Sequence, residues 1–348
     1  MSKNVLLLAP KVANLYLEII AELERQGYLV DYYEYRSFKL DPYYIKGYVK
    51  YGRMFTSKAI SSIRMKREWE SVLASAQYNK SYDYLFVVDG YSLHPCLFNT
   101  LKQRNPGIKC VNYLFDSTYS NYEFNVHFPF FDKVATFDIK DSKKFNINLL
   151  PIYWIDDQDA DCEQDLKFFG MGSDIGCRYA LFSKLEEYSK THGYDSFIRI
   201  YLDRQDNMRK YKFKYRIVEA LSSKSVMTPP EHFYAPIVTH ESMSTSYYRK
   251  MIRRSEIIID SNAPHQDGLT ARFMWALGAE KKIVTTNAAV KEYDFYTPEQ
   301  IYVVDDIETF TDSPDFESFV NSDYRMSDEI RTLVQRYRID NWISWLLC

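Results

Sequence analysis

Short apolar runs alternate with stretches of amphipathic, helix-length spacing along nearly the whole chain, and this rhythm constrains the fold more than any other feature. Val5–Leu8 reads as a buried strand. Val12, Leu15, Tyr16, Ile19 and Leu23 follow at helical spacing up to Gly27, and Tyr28–Tyr33 reads as a strand again. Residues 57–77 read as a helix, Tyr84–Val88 as a strand and Pro95–Arg104 as a helix. Lys109–Leu114, Lys133–Phe137 and Asn148–Ile152 are further strands. After the acidic stretch Asp156, Asp157, Asp159, Asp161, Glu163 and Asp165 a second series begins. Its strands are Leu166–Phe169, Phe197–Leu202, Ile257–Asp260, Lys282–Thr285 and Gln300–Val304; its helices are 177–191, Ser246–Arg254 and Leu269–Leu277. A last helix starts near Asp328. Strands alternating with helices imply βαβ units and mostly parallel sheets. The expected fold class is therefore α/β, with two Rossmann-like domains facing a cleft. The expected domains are 1–155, 156–326 and a C-terminal helix, 327–348, that packs back on the first. The acidic stretch lacks the glycine and ligand spacing of a calcium loop and reads as an interdomain linker.

Composition removes several classes. The formal net charge is −3 and the pI near 6.1, so the basic footprint of a nucleic-acid binder is missing. Glycine is only 11 of 348 residues, whereas aromatic residues reach 17%, with 31 tyrosines, so glycine-rich and disordered architectures are excluded. The five cysteines (Cys96, Cys110, Cys162, Cys177, Cys348) are widely spaced with no C-x-x-C, which suggests neither a disulfide framework nor a zinc site. No apolar run approaches 18 residues, and no signal-peptide cleavage site follows the first strand. A reducing cytoplasm is the expected compartment, with peripheral contact at the inner face of the cell membrane left open.

Three stretches have residue types that could carry chemistry. Asp260 to Asn287 reads strand, polar loop, helix, strand, with Gly268, Leu269 and Thr270 where the helix starts and Arg272 just inside it. Free N–H groups and the helix dipole there can hold a phosphate, and the guanidinium can add a bidentate contact. His265 and Gln266 lie in the preceding loop. A plain helix start with a salt-bridged arginine is the alternative. Phe168 to Arg178 is a second strand, loop and helix start; it holds Gly170, Gly172, Ser173 and Gly176. Those glycines permit close backbone approach to a ligand, or simply a tight turn. The third stretch ends a buried strand at Asp116, a candidate general base or a turn cap.

These residues, in this order, resemble the bacterial glycosyltransferases of capsule, exopolysaccharide and lipopolysaccharide synthesis, of GT-B-like architecture. The resemblance rests on Tyr35-Arg36, Tyr113-Leu-Phe-Asp116-Ser and Phe131-Asp-Lys…Phe137-Asp138…Asp141 with Leu150-Pro151. It continues in Phe169-Gly170…Arg178-Tyr179, in Gln266-Asp-Gly-Leu-Thr-Ala-Arg272 with Lys281 to Asn287, and in Asp294-Phe-Tyr296. It implies transfer of a sugar from a nucleotide-sugar donor to a glycan or lipid-linked glycan acceptor, without a metal or other cofactor and without nucleic acid. It implies donor contacts from Gly170, Ser173, Arg178, His265, Gln266, Gly268, Leu269, Thr270, Arg272, Trp275 and Asn287, and Asp116 as the base. Trp275 departs from the pattern, because such enzymes commonly carry a ribose-binding glutamate there. Two other readings stay open: a catalytically inactive sugar-nucleotide or glycan-binding subunit, and a polyol-phosphate transferase.

Overall fold

The computed structural model describes residues 2–11, 14–34, 58–90, 93–118, 124–156, 163–202, 212–213, 216–217, 232–264 and 266–348. Val12, Tyr35, Arg36, Asp157, Asp159, Asp161, Cys162 and His265 lie outside the described residues. The chain divides into two units, Met1–Pro151 with Ile339–Cys348, and Ile152–Arg338.

In the first unit the apolar runs become six parallel strands. They are β1 (Asn4–Leu8), β2 (Leu29–Tyr33), β3 (Tyr84–Val88), β4 (Lys109–Leu114), β5 (Lys133–Thr136) and β6 (Asn148–Leu149), in the order β2-β1-β3-β4-β5-β6. Parallel neighbours need a crossover, and α1 (Leu15–Arg25), α2 (Lys58–Ala74), α3 (Pro95–Arg104) and α4 (Ile139–Phe145) serve as such crossovers. Every residue of β3 is buried, as a central strand covered on both faces requires. Helix α1 turns Leu15, Ile19 and Leu23 inward. Helix α4 has no counterpart among the expected elements; at seven residues it is too short to show a period, and Asp138 starts it by accepting from the N–H groups of Lys140 and Asp141.

The tyrosine excess is partly structural. The hydroxyls of Tyr32, Tyr78 and Tyr113 donate to the carbonyls of Ala9, Tyr32 and Leu150, so buried rings keep a satisfied polar end. Tyr113 is fully buried, against Phe115 and Trp342. Trp342 lies in the closing helix Ile339–Leu347, and its indole N–H donates to the Pro151 carbonyl at 3.1 Å.

The second unit has strands β7 (Leu166–Ser173), β8 (Ser196–Tyr201), β9 (Val238–Thr239), β10 (Ser255–Asp260), β11 (Lys282–Thr285) and β12 (Ile301–Val303). All are parallel, in the order β12-β11-β10-β7-β8-β9. Around them lie α5 (Arg178–Thr191), α6 (Thr245–Arg254), α7 (Ala271–Gly278), α8 (Pro314–Asn321) and α9 (Asp328–Gln335). Strand β7 runs on through Gly170-Met171-Gly172, where the sequence suggested a loop. A side chain at Gly170 would meet Ile259 and Phe182 at 3.0–3.2 Å, so this glycine serves sheet and helix packing. The single helix expected from Asp328 is two helices, α9 and Ile339–Leu347. At the start of this unit the Trp154 N–H groups reach the carbonyls of Tyr337 and Val334, each at 3.0 Å. Its ring covers Gly278, where a Cβ would sit 2.3 Å from it. Among the described residues no helix is long and apolar enough to cross a membrane.

Two predictions follow from this packing. Gly278→Ala adds a good helix former, yet it overpacks the buried Trp154 ring and should cost about 1–3 kcal/mol, seen as a lower melting temperature; an unchanged or raised one contradicts this packing. In the first unit, burial, aided by the His94 charge, pushes His127 down to about 4. The unfolded chain then binds the extra proton between about 6.5 and 4, so stability falls as pH drops through that window. His127→Gln should flatten this part of a plot of melting temperature against pH.

Candidate anion-binding site in the second unit

The strand order of the second unit reverses between β7 and β10, and ligands in such sheets bind at the carboxyl ends beside that point. There β7 ends in Gly172-Ser173 and β10 ends in Asp260, followed by Ser261. Helices α5 and α7 start nearby in sequence with Arg178 and Ala271-Arg272.

Asp260 is 1% exposed. Its carboxylate accepts the Thr270 hydroxyl at 2.6 Å and pairs with Arg272 at 3.3 Å. Thr270 also caps α7 by accepting from the Phe273 N–H at 3.1 Å. The Ser261 carbonyl accepts from both arginines, Arg178 at 3.0 Å and Arg272 at 3.3 Å, while its hydroxyl accepts from Arg178 Nε at 2.9 Å. A third Arg178 bond goes to the Ser173 carbonyl. The Arg178 guanidinium lies on Gly172, where a Cβ would come within 2.8 Å of it. Burial, then the Arg272 charge, pushes Arg178 down to about 10, against the pull of Asp260. Arg272 pairs with the buried Asp260 carboxylate, whereas Arg178 bonds to the adjacent Ser261, so two guanidinium groups stand near one carboxylate beside a helix N-terminus. Such a combination suits an anion. The side chain of Arg272 is 22% exposed and so the more accessible of the two.

The structure thus brings Ser173, Arg178, Thr270 and Arg272 together. Asn287 serves the loop, its side-chain N–H group donating to the carbonyls of Asp267 and Gly268 at 3.0 and 3.3 Å. The Gln266 carbonyl accepts from Asn262 at 2.6 Å. Leu269 is core, 1% exposed. Trp275 turns its ring to Tyr248 and to the Arg249 guanidinium, 5.3 Å from the ring centre. With Trp154, Asp156, Arg249 and Arg253 it lines a small pocket. Asp116 belongs to the first unit. Sequence reasoning missed Asp260 and Ser261 as site residues. The signal for Asp260 was a carboxylate closing the apolar run Ile257–Ile259; nothing marked Ser261, whose carbonyl does much of the bonding.

No family model matches the chain, and no curated protein matches it. Solved structures do. The E. coli trehalose-6-phosphate enzyme bound with UDP-2-fluoro glucose superposes with TM-score 0.60 at 12% identity, over 99% of both chains. Sucrose-phosphate synthase from Thermosynechococcus elongatus gives 0.56 at 11%, over 99% of this chain and 96% of the other. The lipopolysaccharide outer core galactosyltransferase WaaB, in its apo form, gives 0.52 at 11%, over 98% and 97%. The chain therefore has the two-sheet α/β fold of the GT-B glycosyltransferases, as the sequence led us to expect.

Gly172→Ala should displace the Arg178 guanidinium and cost about 1–3 kcal/mol. Gly107→Ala, where a Cβ meets only the Asn105 side-chain oxygen at 3.4 Å, should be near neutral in the same melts. Equal melting temperatures for the two variants would contradict this packing of Arg178.

Proposed function

We propose that the protein is a glycosyltransferase that moves a sugar from a nucleotide-sugar donor to a surface polysaccharide or lipid-linked glycan. One observation carries the reading. At the switch point of the second sheet, Arg178 and Arg272 share the buried Asp260-Ser261 pair beside the N-terminus of α7. A nucleoside diphosphate needs such a place. Its negative charge grows as the bond to the sugar breaks, and preorganised guanidinium and N–H donors stabilise that charge without a metal. The neighbours with this fold support it, since one was solved with UDP-2-fluoro glucose and one is named a galactosyltransferase. In this scheme Arg272 meets the diphosphate, Arg178 sets the charge and shape behind it, and Asp116 of the first unit takes the proton of the acceptor hydroxyl. The protein works in the cytoplasm, at the inner face of the membrane where its acceptor is built.

A second reading is a subunit that binds sugar nucleotide or glycan without turnover. It is favoured by Trp275, which stands where related enzymes carry a ribose-binding glutamate and is packed under Arg249.

A melting screen with UDP-, GDP-, CMP- and dTDP-sugars should raise the melting temperature for one nucleotide class, because a ligand that binds only the folded state stabilises it. With that donor, Arg272→Ala should lower transfer at least a hundredfold while the protein stays folded. Full turnover in that variant rejects the site. Binding with no transfer or hydrolysis across the panel selects the second reading.

A further inference from the structure

The first unit has its own switch point. Its strand order reverses between β1 and β3. The residue just past β3 is Asp89, with φ +66, followed by Gly90 at φ +113. A left-handed backbone costs an ordinary residue about 1–2 kcal/mol and persists only where surrounding bonds impose it. Here they do. The Asp89 N–H donates to the Tyr113 carbonyl at 2.7 Å, and its own carbonyl accepts from the Asn112 side chain at 3.2 Å. The carboxylate, in a residue only 2% exposed, accepts through one oxygen from the N–H groups of Phe115, at 2.7 Å, and Asp116, at 3.1 Å.

Beyond them, Asp141 treats Thr118 in the same way, accepting from its N–H at 2.6 Å and from its hydroxyl. Two buried carboxylates thereby hold three of the four amides from Phe115 to Thr118. Asp116 is half-buried, and the Ser117 hydroxyl after it is buried without a hydrogen-bond partner among the described residues. Asp116 is thus mounted on a backbone that Asp89 anchors directly.

We propose that Asp89 is the positioning residue of the acceptor side. By anchoring the amides of 115 and 116 it sets the direction from which the Asp116 carboxylate meets an acceptor hydroxyl. The inference rests on the reading of Asp116 as the base. A general base must come within about 2.6–3.2 Å of the proton it takes, and a misplacement of about 1 Å costs roughly a hundredfold in rate. Asp89→Ala removes the acceptor and orphans two amides, at a position where alanine must still take φ +66. Asp89→Asn keeps an oxygen acceptor and a residue type that tolerates positive φ.

The test combines steady-state transfer, with the donor found in the melting screen, and amide hydrogen exchange on the full chain. In Asp89→Ala, kcat should fall at least tenfold and the donor KM stay within twofold. Exchange at 115–116 should quicken while that of β7 and β10 does not. Asp89→Asn should restore all of these. If Asp89→Ala does not fold, Asp89→Gly, which relieves the backbone yet still lacks the acceptor, carries the same expectation. Unchanged exchange at 115–116 in the alanine or glycine variant overturns the proposal, with or without a known substrate. So does wild-type kcat in such a variant when Asp116→Asn is inactive. An Asp89→Asn variant as impaired as Asp89→Ala also overturns it, because the charge rather than the anchoring would then matter. Wild-type kcat in Asp116→Asn removes the base assignment itself, a separate result.

Discussion

The carboxylate of Asp260 organises the carboxyl edge of the second sheet. A buried charge without partners is costly, and this one has the Thr270 hydroxyl and the Arg272 guanidinium. Asp260 ends a strand and Thr270 caps a helix, so their hydrogen bond closes the loop between them. Arg272 leaves the same helix start and reaches the Ser261 carbonyl, which Arg178 also uses. The Asp260-Ser261 pair thereby holds two arginines close together, Arg272 through the carboxylate and both through the Ser261 carbonyl.

The two units apply one topological rule with opposite charges. In the second, arginines gather at the strand-order reversal. In the first, aspartates follow the strand ends: Asp89 after β3 holds the amides of 115 and 116, Asp138 after β5 caps α4, and Asp141 within α4 holds Thr118. Parallel strands bring many loop starts to one edge. Buried side chains must pair with the loop amides exposed there.

Much of this was legible in advance where local pattern suffices. Strands β3, β4 and β11 and helix α3 fall where apolar runs and proline placed them. Pattern failed where packing decides. Gly170 and Gly172 look like a ligand loop in sequence, yet both lie in β7, one packed on Ile259 and Phe182, the other under Arg178. Tyr113 sits within a motif but is buried core. Trp275, expected to contact the donor, lies beside the Arg249 guanidinium, which the neighbouring helix supplies.

The sequence by itself determined two parallel α/β halves and the two helix starts that carry Arg178 and Arg272, because strand burial and helix periodicity are written in neighbouring residues. Only the tertiary structure decided what those arginines share. The Ser173–Arg178 and Ser261–Arg272 segments are far apart along the chain, and their bonds run largely through backbone carbonyls, which no side-chain pattern encodes. The same holds for Asp89, whose hold on Phe115 and Asp116 exists only because β3 and β4 end side by side.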